Sequence, residues 1–262
     1  MNPIVAAVLL LALAPAPGRS QEWARKALEK SPRHGEWTTL ESGGRALSAF
    51  VVYPETKRKA PAIVVVHEIF GLTDWARATA DALAALGYVA IAPDMLSGLA
   101  PGGGRSSDFP SVDAAREAMG KLEPAGVLRD LDAAADFVKA LPAADGRVSV
   151  IGFCWGGGQA FRFAAHRADL RAAFVFYGPP APDLAAIQAP VYGFYAENDA
   201  RIGATLPGTE KAMKAAGKTF EAVTYAGAGH GFMRGGQDPE GRPGDRKARG
   251  KAWKRLKALL AE

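Results

Sequence analysis

Hydrophobic positions along this chain follow two alternating rhythms. Residues 60–68 ("APAIVVVHE"), 88–94 ("YVAIAPD"), 147–153 ("RVSVIGF"), 171–178 ("RAAFVFYG") and 189–199 ("APVYGFYAEND") contain runs that are apolar at nearly every position. A run without polar alternation suits a strand buried on both faces, the condition of a parallel sheet. Between these runs the spacing turns helical. Residues 75–86 form one such stretch, with Asp74 as its expected cap and Gly87 as its terminator. Two more follow, split at Pro124, and in the second Val127, Leu131, Ala134, Val138 and Leu141 mark one helical face.

The remaining pattern completes the series. It predicts a first strand over residues 47–55, a helix over 206–217, a strand over 219–225 and a closing helix within 246–260. Residues 97–110 ("SGLAPGGGRSSDFP") read as a long loop. Strands alternating with helices predict an α/β fold, a mostly parallel central sheet flanked by helices on both faces. No internal repeat or linker interrupts it, so residues 21–262 are expected to form one domain.

Ligands of such sheets bind at the carboxyl ends of the strands. The residues expected there are His67, Glu68, Asp94, Cys154, Tyr177, Asp199 and His230: a thiol, two imidazoles, a phenol and several carboxylates.

Composition narrows the chemistry. The net charge is +5, with the excess concentrated near the C-terminus, where it suits the solvated face of a last helix. No interleaving of basic and aromatic residues marks a nucleic-acid module, so no nucleic-acid partner is expected. A single cysteine excludes an internal disulfide and a multi-cysteine metal site. The histidines, His34, His67, His166 and His230, show no paired metal-binding spacing, and no metal or other cofactor is expected. At the N-terminus, Ile4 to Ala14 form an apolar stretch too short to span a bilayer but long enough for a secretory signal. Residues 1–20 are therefore expected to be an export signal cleaved before Gln21. The mature protein would be periplasmic or extracellular, with no stable membrane insertion, and cytoplasmic if that segment is not a signal.

The lone thiol has a specific setting. Gly152-Phe153-Cys154-Trp155-Gly156 has the form glycine–x–nucleophile–x–glycine between a predicted strand and a predicted helix, the context of a nucleophile elbow. The glycines permit a tight corner, and the N-terminus of the following helix favours anionic sulfur and an anionic oxygen beside it. The Trp155 N–H is a natural oxyanion donor. Asp199 and His230 follow in the order acid, then histidine, each after a predicted strand, as a base and its orienting carboxylate would. Glu197 is the nearest competitor for the acid; loop position favours Asp199. A dinucleotide fingerprint fails, because cysteine and tryptophan occupy the turn and no acidic residue follows at the required strand end. Phe70, Trp155 and Phe232 are candidates to line an apolar pocket, and His34 and His166 are given no role.

Taken together, "GFCWGG", "HEIFGL", "APDMLSG", "END" and "GAGHGF" resemble the dienelactone hydrolase family of α/β-hydrolases, over roughly residues 41–260. The resemblance implies a contact between Glu68 and the resting Cys154 that helps form the thiolate. It implies that Ile69 supplies the second oxyanion N–H and that Arg234 binds a substrate carboxylate. Gly98 stands where the family's diene-lactone specialists carry a second arginine, which leaves the exact substrate open; Arg105 and Arg201 are nearby cations. The expectation is a monomeric, cofactor-independent hydrolase of a small ester or lactone, working through Cys154, His230 and Asp199. The alternative is a hydrolase-like scaffold that binds a ligand or senses redox state through Cys154 without catalysis.

Overall fold

The computed structural model describes residues 21–261; the expected export signal lies outside the described residues. One eight-stranded sheet runs through it. In chain order the strands are β1 (Gly35–Ser42), β2 (Arg45–Val52), β3 (Ala60–Val66), β4 (Val89–Pro93), β5 (Ala144–Phe153), β6 (Leu170–Phe176), β7 (Val191–Asn198) and β8 (Phe220–Gly229). They lie in the order β1-β2-β4-β3-β5-β6-β7-β8. β1, β2 and β4 pair antiparallel, and every pairing from β4 through β3 to β8 is parallel.

Nine α-helices accompany the sheet among the described residues. They are α1 (Glu22–Glu29), α2 (Asp74–Ala84), α3 (Val112–Gly120), α4 (Pro124–Ala140), α5 (Trp155–His166), α6 (Ala200–Gly203), α7 (Leu206–Ala215), α8 (Phe232–Gly235) and α9 (Pro243–Ala261). None is long and apolar enough to cross a membrane.

β3 shows why its sequence lacks alternation. Val64 and Val66 point into a core shared with Leu131, Ala134 and Val138 of α4 and with Phe161 of α5. Ile63 and Val65 point the other way, into a core with Trp75 and Leu83 of α2 and Leu256 of α9. Successive strand side chains face opposite sides, so a strand covered on both is apolar throughout. Each such aliphatic side chain contributes about 1.5–3 kcal/mol on burial. α9 presents Ala248, Ala252, Leu256 and Leu260 inward, while Lys247, Lys251, Lys254 and Lys257 stay exposed. The basic C-terminal excess is largely the solvated side of this helix.

The structure departs from the sequence pattern at the N-terminal edge. α1 and β1 precede the first strand expected from sequence, and that strand begins at Arg45. Gly43 and Gly44, both left-handed (φ +57° and +85°), close a two-residue hairpin between β1 and β2. The cap of α2 is Thr73, in extended conformation, and Asp74 is the first helical residue, paired with Arg77. Pro124 does divide two helices, as the first residue of α4.

Candidate active site

Six strand ends converge on one place. Glu68 lies just beyond β3, Asp94 beyond β4, Cys154 beyond β5, Tyr177 beyond β6, Asp199 beyond β7 and His230 beyond β8. Parallel pairing brings together residues separated by more than 160 positions in sequence.

Cys154 occupies a tight corner between β5 and α5, with φ +57° and ψ −117°. A non-glycine residue in such a sparsely populated region costs on the order of 1–3 kcal/mol and persists only where its surroundings enforce it. Here the enforcement is visible. The Cys154 N–H donates to the Phe176 carbonyl at 3.0 Å, and the Cys154 carbonyl accepts from Gly157 N–H at 3.0 Å. The flanking glycines are dictated by crowding: a Cβ on Gly152 would sit 1.9 Å from the Gly156 carbonyl oxygen, and one on Gly156 would sit 2.3 Å from that of Val66.

The sulfur meets an imidazole. His230 Nε2 lies 3.0 Å from Cys154 Sγ, and His230 Nδ1 lies 2.5 Å from Asp199 Oδ2. Asp199 is buried and also caps α6, its Oδ1 accepting from Ile202 N–H at 3.5 Å. Glu197 is exposed and accepts instead from Gly227 N–H, so Asp199 is the carboxylate that orients the ring. The hydrogen bond to Cys154, reinforced by that to Asp199, holds His230 protonated up to about 9, against the opposing pull of burial.

Glu68 is differently placed from the family-based expectation. Its carboxylate, buried behind β3, accepts from Arg234 Nε at 2.6 Å and lies 3.5 Å from the Tyr177 hydroxyl, while the sulfur's hydrogen-bond partner is His230. The physical reason is the competition for a buried carboxylate: a guanidinium offers a charge-assisted bond that a thiol cannot match. Burial weighs against charge on Arg234, but Glu68 more than offsets it and keeps the guanidinium firmly protonated. Tyr177 is fully buried, left-handed at φ +40°, and set edge-on to the His230 ring with centroids 5.1 Å apart. Burial pushes its phenol well above its ordinary range.

Ile69 lies in a tight turn closed by Gly71 N–H donating to the Glu68 carbonyl at 3.2 Å, with Gly71 left-handed at φ +79°. Trp155 opens α5, so its N–H is one of the first-turn amides without an intrahelical acceptor. Trp155 and Phe70 are half-buried at the site. The Arg234 guanidinium stands 5.0 Å from the Phe70 ring centroid. Phe232 corrects its expectation as pocket lining. It is fully buried, packed against Tyr177 and Tyr225, because α8 turns its first residue into the core beneath the histidine.

Three groups given no role from sequence support the site. His67 is buried behind the elbow. Its Nδ1–H donates to the Glu68 carbonyl at 2.8 Å, its Nε2 accepts from Met95 N–H at 3.2 Å, and burial keeps it neutral. Asp94, also buried, accepts from the backbone N–H groups of Leu96 and Ser106 and from the Ser106 hydroxyl. Ser106 Oγ in turn accepts from Leu72 N–H at 2.9 Å. The strand-end position of His67 and Asp94 was the available signal; the partnership with Ser106 crosses a long loop and had none. Gly98 and Arg201 are exposed, away from these contacts. Beside the site, a cavity of about 680 Å³ begins at Arg234 and Phe70.

Comparison with known proteins agrees with this architecture. The family model described as "Dienelactone hydrolase family" matches residues 47–262. A relative from Methylorubrum extorquens, provisionally named a carboxymethylenebutenolidase, is 35% identical over 204 residues, covering 71% of this chain and 68% of its own. One from Salmonella typhi with the same provisional name is 32% identical over 241 residues, 86% of each chain. Among solved structures, a provisionally assigned dienelactone hydrolase from Klebsiella pneumoniae superposes with a TM-score of 0.76 at 29% identity, covering 88% of this chain and 99% of that one. A dienelactone hydrolase-like promiscuous phosphotriesterase from metagenomic libraries gives 0.74 at 25% identity, covering 87% and 98%.

Proposed function

This chain belongs to the dienelactone hydrolase family, and on that premise we propose that it hydrolyses a carboxylic ester or lactone through a covalent intermediate on Cys154. The observation that carries the reading is the line Sγ–Nε2 at 3.0 Å and Nδ1–Oδ2 at 2.5 Å through Cys154, His230 and Asp199. A nucleophile, its base and an orienting acid in contact form the constellation acyl transfer requires.

The thiol proton rests on His230 Nε2, and Sγ attacks the carbonyl carbon. The carbonyl electron pair moves to oxygen, where the N–H groups of Ile69 and Trp155 receive the charge. Such a donor contributes about 3–4 kcal/mol to the transition state. As the C–O bond breaks, Nε2–H protonates the departing alkoxide; in a lactone this group stays tethered to the acyl chain. Water then attacks the thioester and gives a proton to Nε2. The second tetrahedral species expels sulfur and releases the acid, returning the thiolate–imidazolium pair. Asp199 holds the ring in one orientation throughout. Arg234, paired with Glu68, is the group for a substrate carboxylate. The substrate partner is a small molecule, the acting species is a monomer, and residues 1–20 direct export.

The test is direct. Cys154→Ala, or alkylation of the wild-type thiol, abolishes hydrolysis of p-nitrophenyl acetate, and mass spectrometry of the quenched wild type detects one added acyl group. Undiminished turnover by Cys154→Ala would overturn the reading. A purely ligand-binding or redox-sensing role leaves the Asp199–His230 alignment without a purpose.

A further inference from the structure

The cavity that shares Arg234 and Phe70 with the site is also lined by an aromatic–cation pair that the reaction above does not use. On its wall, Trp37 of β1 presents an indole that is 39% exposed. The Arg105 guanidinium lies 4.0 Å from the centroid of that ring. Among the described residues no ion pair ties Arg105 to a carboxylate. The other two arginines on the cavity wall are engaged, Arg77 with Asp74 and Arg234 with Glu68. Asp108, the nearest acid in sequence, accepts from the Arg105 backbone N–H at 2.7 Å.

Arg105 is held in place despite its glycine-rich loop. The next residue, Ser106, is fixed to buried Asp94 through both its N–H and its hydroxyl. On the other side, the Gly104 carbonyl accepts from Gly98 N–H at 2.9 Å. A guanidinium stacked on an indole keeps its N–H edge free for an oxyanion and its second face free for another ring. The cavity volume of about 680 Å³ falls in the range that encloses drug-sized ligands, well beyond what one small lactone ring fills.

We propose that the Trp37–Arg105 end of this cavity is a binding subsite for an aromatic ring carrying an anionic group. The preferred substrate is then an elongated aryl ester or aryl-substituted lactone that carries an anionic group on its aryl end, separate from any carboxylate held at Arg234. This substrate class rests on the hydrolase reading above; the subsite itself is tested by binding without turnover.

Calorimetric titration of Cys154→Ala with biphenyl-4-carboxylate and with neutral biphenyl-4-methanol separates charge from stacking. The acid is expected to bind about tenfold more tightly than the alcohol. Adding Arg105→Met erases that preference, Arg105→Lys restores part of it, and Trp37→Leu weakens both ligands. Thermal unfolding midpoints confirm that the variants are folded, and Arg105→Met alone decides the matter if Trp37→Leu is not. Equal binding of acid and alcohol, no binding of either, or an acid preference that survives Arg105→Met would overturn the subsite. Failure of the wild type to hydrolyse p-nitrophenyl acetate would instead overturn the hydrolase reading and leave the titration result standing.

Discussion

The Arg234 guanidinium donates to the Glu68 carboxylate at 2.6 Å, tying α8 to the loop after β3 at the edge of the cavity. The two partners are unequally buried. The Glu68 side chain is 4% exposed and that of Arg234, which lines the cavity, is 33% exposed, so solvent reaches the pair through Arg234. On the proposed reading, an incoming substrate carboxylate would approach Arg234 from there and compete with Glu68 for it.

That competition gives the first prediction. Arg234→Met removes the partner of a buried carboxylate and is expected to lower stability by about 1–3 kcal/mol. It is also expected to raise KM for esters bearing an acid while changing that for neutral esters little. Urea denaturation and a matched pair of acidic and neutral p-nitrophenyl esters check both halves. An equal loss on the two esters would remove Arg234 from carboxylate binding.

His230 gives a pH-dependent prediction. Its folded pKa is raised from the ordinary 6.5 to about 9 by the Cys154 and Asp199 hydrogen bonds. Folding therefore favours the protonated ring, and the resulting stabilisation is complete below pH 6.5 and lost as the pH rises through about 9. Unfolding free energies measured from pH 6 to 10 should fall more steeply for the wild type than for His230→Gln. Parallel curves would contradict the coupling.

Much of this arrangement was readable from sequence because it rests on local constraints. The double-faced strands announce themselves as unbroken apolar runs, since both sides of β3 are covered. The elbow announces itself because only glycine fits at positions 152 and 156. The failures are equally physical. β1 carries exposed Glu36, Trp37, Thr39 and Glu41 in an edge strand, with only Leu40 and Ser42 buried, so its apolar signal is weak. Phe232 looks like any aromatic next to a reactive histidine; only the path of α8 sends it inward. The partner of Glu68 depends on Arg234, 166 residues away, and a sequence motif carries no information about which of several polar groups a buried acid will choose.

The glycines of the elbow supply a contrast experiment. Gly152→Ala places a methyl 1.9 Å from backbone oxygen, and relief requires the strand or the helix to shift. Overpacking of this kind costs about 1–3 kcal/mol or more, and displacement of Cys154 should reduce kcat/KM by at least about 100-fold. Gly250→Ala lies within α9, where an added Cβ meets nothing within 4 Å. It should stabilise the protein by about 0.5–1 kcal/mol through helix propensity and leave the kinetics unchanged. Thermal melts and ester hydrolysis on the two variants read this directly, and equal effects would contradict the crowding argument.

Asp94 and Ser106 set the last prediction, because they reach the chemistry through backbone alone. Ser106 Oγ accepts from Leu72 N–H, and Leu72 directly follows Gly71, whose N–H closes the turn that carries Ile69, one of the two proposed oxyanion donors. Ser106→Ala leaves Asp94 short of a donor and Leu72 N–H short of an acceptor, at a cost of about 1–3 kcal/mol. If the turn then wanders, the Ile69 N–H is no longer aimed when charge develops on the substrate oxygen. The loss should fall on kcat for p-nitrophenyl acetate, by about tenfold, with KM nearly unchanged, because the donor acts in the transition state rather than on the bound ester. Ser106→Thr, which keeps the hydroxyl, should recover most of kcat. A fall in stability with kcat intact would make Ser106 a purely structural staple.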